Sequence, residues 1–293
     1  MSLYHNLNFR IRTTILMTYQ TDYAKYGIVL GSVSSILIGI STIVVALSLI
    51  ISSSLTLYIL IKNNATLINP YISLIIAIAS SIFFIYLGIV LIRVGFQYKN
   101  FRSVEYVLIN SGVNSFSIGL ILLGIAMLVS SQIFKIFIIP LNTYGVYLIV
   151  SGVLFLIGCK ITLMRNIVGP ILIIVASIVL GSGVGFNTFI VGIVIISVAI
   201  FLRFISRAYI IDVLSLILTC IGVILVGTYF ATMGSRLLSI VRFLNVKYII
   251  ALGQVVGVLN IIGGIMLIIA PILITVDIIV NKYSKGSYMY GRW

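Results

Sequence analysis

The chain has 293 residues, of which 62% are hydrophobic and 8% charged, where a soluble domain carries roughly 25% charged residues. With a mean hydropathy of +1.33, most of its surface has to face hydrocarbon. That excludes soluble enzymes and nucleic-acid-binding modules, despite 18 Lys+Arg against 4 Asp+Glu. The chain reads as an all-α, polytopic integral membrane helix bundle.

The charges are almost the only punctuation, so spans are the stretches between them. Residues 1–25 read as a cytoplasmic arm, either lying along the inner interface on Leu16, Met17 and Tyr19 or disordered. The first apolar run is far longer than the roughly 7–15 residues of a signal-peptide core, so it is a retained anchor. A transmembrane bundle follows over 26–281, with about eight spans at 26–61, 71–92, 112–134, 142–159, 167–180, 188–202, 209–232 and 248–280. The fifth and sixth come from a 37-residue uncharged run, Asn166 to Leu202, which at ~1.5 Å per residue is too long for one crossing of ~30 Å. It has to fold back, and Gly181-Ser182-Gly183-Val184-Gly185-Phe186-Asn187 is the expected break. Tyr26 to Ile61 is the other odd length, 36 uncharged residues. It reads as one long helix, with a hairpin turning near Ser52 as the nine-span alternative. Residues 234–247 place Arg236, Ser239, Arg242 and Asn245 at every third position opposite an apolar face, so they are expected as a short amphipathic helix on the outer surface. A cytoplasmic tail, 282–293, ends the chain.

Charge sets the orientation. With eight spans, thirteen basic residues share the side of the two termini, and Lys62, Lys135, Arg236, Arg242 and Lys247 occupy the other. Short basic loops resist translocation, so both termini are expected inside, in a multi-pass protein of the cell (plasma) membrane. Nine spans would give a weaker ten-to-eight division. The triplet Asn64-Ala65-Thr66 falls in an outer loop, a weak addition. Asp22, Glu105 and Asp212 each stand at the start of an odd-numbered span, where exposed N–H groups and the positive helix end favour an anion. Asp277 does not: five residues before Lys282, at the expected inner end of span 8, it opposes the helix dipole and calls for a partner such as Lys282, Arg203 or Arg207.

Helices in lipid gain nothing by hiding apolar surface from water, so they associate through close contact at small residues. Span 1 offers Gly27, Gly31, Ser35 and Gly39. Span 8 offers Gly253, Gly257, Asn260 and Gly264 ahead of Pro271, which should kink the helix. Span 3 offers Gly112, Ser115, Gly119 and Ala126, and span 4 Gly145, Gly152 and Cys159. These are expected at helix joints, inside the bundle or against a partner subunit.

The chemistry is mostly a record of absences. His5 is the only histidine, so no haem-ligating pair and no His/Cys/acid metal cluster can be assembled, and no cofactor is expected. Cys159 and Cys220 fall at different depths and read as small packing residues. No nucleophile has a base beside it at membrane depth, so the chain alone is not an enzyme. The deep polar residues Asn114, Gln132, Gln254 and Asn260 are neutral, which disfavours ion coupling. Gln254 with Asn260, and Asp277, are the candidate intramembrane polar sites. Two functions are left. The first is a non-catalytic membrane subunit or anchor of a larger complex, possibly of respiratory type with the cofactors on other chains. The second is a passive channel between spans 5, 6 and 8, lined by Asn260, Gln254, Ser177 and Ser197. Expected partners are membrane lipids and other membrane subunits, not nucleic acid. The excess of Ile over Ala, with abundant Tyr, Asn and Ser, suggests an AT-rich prokaryotic source.

Overall fold

The structure, a computed structural model, describes residues 32–54, 68–96, 108–131, 141–164, 166–184, 187–205, 209–241 and 247–289. Gly27, Gly31, Asp22, Glu105, Gln132 and the Asn64 triplet lie outside them.

Within those stretches the chain is helical, with no strand, in eight successive helices. They are α1 (Ser32–Ser54), α2 (Ile68–Phe96), α3 (a π-helical Leu108–Val113 running into α-helical Asn114–Ser131) and α4 (Leu141–Leu163). Then come α5 (Val168–Val184), α6 (Thr188–Ile205), α7 (Tyr209–Val241) and α8 (Lys247–Met289). Six of them are long and apolar enough to cross a membrane, and α5 and α6 are shorter apolar helices. The protein is therefore a polytopic membrane helix bundle. Only helices satisfy every backbone N–H and C=O within an open segment in hydrocarbon, which is why this composition yields them.

The start of α5 is closed by an asparagine. Asn166 caps it, its Oδ1 accepting from the Val168 N–H at 3.0 Å and its carbonyl from Gly169 N–H at 3.1 Å. Asn187 caps α6 in the same manner, accepting from Ile190 N–H at 3.1 Å on Oδ1 and from Val191 N–H at 3.0 Å on its carbonyl. Both satisfy donors that the first helical turn leaves over.

Three sequence-based expectations change, while the single long helix expected over 26–61 holds across its described part, Ser32–Ser54. The hairpin at Ser52 is excluded, because Ser52 lies within α1 and donates to the Leu49 carbonyl at 2.9 Å. The break expected at Gly181 falls later, with α5 continuing to Val184; Gly183 is a glycine because the Tyr147 side chain of α4 lies across it, leaving no room for a Cβ. Residues 234–241 are no separate surface helix but the last two turns of α7, where Gly234 faces Gly257 of α8. Residues 282–289 extend α8, which also runs through Pro271 without ending.

Neighbouring helices run antiparallel, and their joints share one pattern. In α1–α2, Gly39 faces Gly88: a Cβ on Gly39 would stand 2.6 Å from the Gly88 carbonyl oxygen, and one on Gly88 would stand 2.7 Å from that of Gly39. The residues four positions on, Ile43 and Ile92, lie across the opposite glycine. Seven residues away on both helices Ser32 meets Gly95, donating to its carbonyl at 2.6 Å. The same two-layer pairing recurs. It joins α3 to α4 through Gly124/Gly145 and Ser117/Gly152, and α4 to α5 through Gly158/Gly169 and Ser151/Ala176. It joins α6 to α7 through Gly192/Gly222 and Ala199/Ser215, and α7 to α8 through Gly227/Gly264 and Gly234/Gly257. Between α2 and α3, Ser73 donates to Ala126 at 2.7 Å, and Gly119, seven residues before Ala126, receives the Phe84 ring. Seven residues are two turns, about 10.5 Å, so a period of seven keeps a seam of small residues turned toward the same neighbour.

A helix meets its two neighbours on two different stripes. On α4, for instance, Gly145 and Gly152 face α3, whereas Ser151 and Gly158 face α5. At ~100° per residue the two stripes stand roughly 100–160° apart around a helix, bracketing the ~135° corner of an eight-sided ring. The ring closes where α8 meets α1. Ser41 donates to the Gly263 carbonyl at 2.6 Å, and Ser48 donates to Asn260 Oδ1 at 3.0 Å.

Candidate functional site

Closing eight helices in chain order leaves a space along the axis. A cavity of about 550 Å³ lies there, and every one of α1–α8 contributes to its wall. Small residues are turned sideways into the joints, so large aliphatic and aromatic side chains face inward: Leu120, Phe155, Leu180, Ile190 and Val226 among them. Phe116 stacks edge-on against Phe84 and Phe155, at 6.0 and 5.7 Å between ring centroids, and ties α2, α3 and α4 together across the wall. At the α5–α6 turn, Phe189 meets Tyr229 and Phe230 of α7 at 5.5 and 5.8 Å. The π-helical turn of α3 brings Gly112 and Val113 to the opposite end of the wall.

Hydroxyl and amide groups contribute little to this lining: Thr42, Asn187, Ser197 and Tyr229. Thr42 donates to its own helix at Ile38, 2.8 Å away, and the two oxygens of Asn187 accept its capping bonds. A buried water typically needs two to four polar partners, so this space is not suited to water. Its hydrocarbon lining suits an apolar occupant instead.

The polar residues put forward from the sequence go elsewhere. Asn260 is buried at the α8–α1 joint with Ser48, whereas Gln254 is exposed on another face of α8, so the two do not line a common cavity. Six residues on a helix span about 600°, which turns their side chains apart. Ser177 and Ser197 do meet, their hydroxyls 2.6 Å apart across the α5–α6 joint; one donates to the other, and the second hydrogen goes to the Ile173 or Ile193 carbonyl. They bridge helices more than they line a path. Asp277 lies twelve residues before the last residue of α8, Met289, and so is not in a final helical turn; the contacts of its side chain lie outside the described residues.

The small-residue ladders serve internal joints where they are described. Ser35 donates to the Leu91 carbonyl of α2 at 2.8 Å, beside the Gly39/Gly88 contact. Gly253, Gly257 and Gly264 all face α7, at Val241, Leu238 with Gly234, and Ala231 with Gly227. Asn260 faces α1 instead, so the apparent single stripe serves two neighbours.

The cavity itself was not anticipated. One signal for its wall was present, the seven-residue recurrence of small residues on successive spans. No known protein family matches this sequence, and no curated protein or solved structure is significantly similar to it.

Proposed function

We propose that this chain is a non-catalytic membrane component, the membrane-embedded subunit of a larger assembly in a prokaryotic cell membrane, with both termini inside. The observation that carries this reading is where the interior polar groups go. Ser41, Ser48, Ser73, Ser151, Ser215 and Asn260 are all engaged in joining one helix to the next. The axis is left to hydrocarbon side chains, so a passive channel lacks a continuous polar lining. Antiparallel succession of the eight helices also turns the start of α1, the end of α8 and the last turns of α2 and α4, with Arg93 and Lys160, to one end, the end to which the charge count assigns thirteen basic residues. Such a face suits an acidic partner or anionic headgroups.

Purification in a mild detergent tests the reading. A stoichiometric companion chain is expected, and the purified chain alone in liposomes should leave the flux of small solutes at the level of empty vesicles. A lone homo-oligomer that conducts a solute would favour the channel.

A further inference from the structure

We propose that the central cavity binds an acyl chain of a membrane phospholipid with an anionic headgroup, the headgroup lying at the end of the ring where α5 turns into α6. Size fits first. A dry cavity of ~150 Å³ accommodates one benzene, so about 550 Å³ holds on the order of twenty carbon atoms, the content of one long chain. Length fits as well. The lining of α6 extends from Asn187 to Ile200, which at ~1.5 Å per residue is about 20 Å, against ~15 Å for half of the hydrocarbon core.

The bilayer supplies such chains in great excess, and the α5–α6 joint is a weak place through which to admit them. α5 and α6 touch each other least among the successive pairs from α2 to α8. Their joint is bridged by the Ser177–Ser197 contact, without the facing glycines that lock α6 to α7 or α7 to α8. They are also the two shortest α-helices beside the bilayer apart from the α-helical part of α3, at 17 and 18 residues. Their ~26 Å falls short of ~30 Å of hydrocarbon, a mismatch that favours locally thinned lipid.

The headgroup assignment comes from the same end. Asn187 and Tyr229 are the polar part of the lining there. Arg236 stands exposed two turns beyond Tyr229 on the same face of α7, where a guanidinium can meet a phosphate.

Photolabelling in vesicles decides the matter. The protein is reconstituted in phosphatidylcholine containing a small fraction of phosphatidylglycerol, or of phosphatidylcholine, with a diazirine near the methyl end of one acyl chain; a third arm uses the corresponding free fatty acid. After irradiation, adducts are mapped by peptide mass spectrometry. Adducts are expected on the inward, partly accessible Ile193, Ile196 and Val226 as well as on the outward Ile178 and Val191. One arginine near the headgroup should make the inward yield about fivefold higher from phosphatidylglycerol than from phosphatidylcholine. Leu123→Trp, or the milder Ile193→Phe should the first fail to fold, should fill the cavity and remove most inward adducts while the outward ones persist. Outward labelling without inward labelling overturns the proposal. Equal inward yields from the two phospholipids overturn its headgroup part, and a fatty-acid yield matching phosphatidylglycerol overturns the choice of a phospholipid.

Discussion

Gly264→Leu should lower the thermal midpoint of the detergent-solubilised protein by about 10 °C, from an overpacking cost of about 3 kcal/mol. A Cβ at this position would stand 2.5 Å from both the Ala231 nitrogen and the Gly227 carbonyl oxygen. Those are backbone atoms, so no rotamer change relieves the contact and α7 and α8 must separate. The second layer of the joint, Gly234/Gly257, then loses its register too, because both layers belong to one antiparallel seam. Ile265→Leu, one residue on but 47% exposed toward lipid, should leave the midpoint unchanged. Fluorescence-detected size exclusion after a temperature series checks both. A Gly264→Leu variant as heat-stable as the parent would mean that these glycines do not set the distance between helices.

That seam also shows how far the sequence could be read. The succession of spans was legible because charge is so scarce in this chain that each loop announces itself. The heptad joint was only half visible: Gly145, Gly152 and Cys159 already stand seven apart, but in α1 and α8 the ladders were read at steps of three and four. A helix in a ring needs two stripes, and stripes interleave in the sequence, as Asn260 does among the glycines that face α7. Glycine was also misread as a breaker at Gly181 and Gly183. In lipid, with no water to accept freed backbone groups, a glycine inside a span marks a close neighbour more often than an end. The cavity was hidden for a different reason. It arises from the angle between two stripes summed around eight helices, and no residue type reports such a sum.

The second large effect concerns the joint between α5 and α6. Ser177→Asp should cost about 3 kcal/mol, the scale for an acid deep in hydrocarbon, and sharply reduce the yield of folded protein. Ser177→Ala should cost less than about 1 kcal/mol, because interhelical hydrogen bonds in membranes average only ~0.6 kcal/mol. Ser177 is fully buried, with Ser197 its neighbour across the joint, so no water is at hand to solvate a carboxylate. Folded yield and melting temperature of the two variants, compared side by side, give the answer. Equal stability of Ser177→Asp and the parent would place water at this depth, and with it the case for a conducting path would return.

Ring closure between the first and last helices is the claim on which the cavity, the two stripes per helix and the axial lining all depend. It is tested most directly by oxidative cross-linking in native membranes, with cysteines placed by Ser48→Cys and Asn260→Cys in a background carrying Cys159→Ala and Cys220→Ala. The side chains of Ser48 and Asn260 are in contact at 3.0 Å, so a disulfide should form rapidly within one chain and shift its mobility on a non-reducing gel. A control pair on opposite walls, Ser48→Cys with Leu180→Cys, should not cross-link. Failure of the first pair under conditions that oxidise exposed thiols, or cross-linking only between separate chains, would contradict the closed ring.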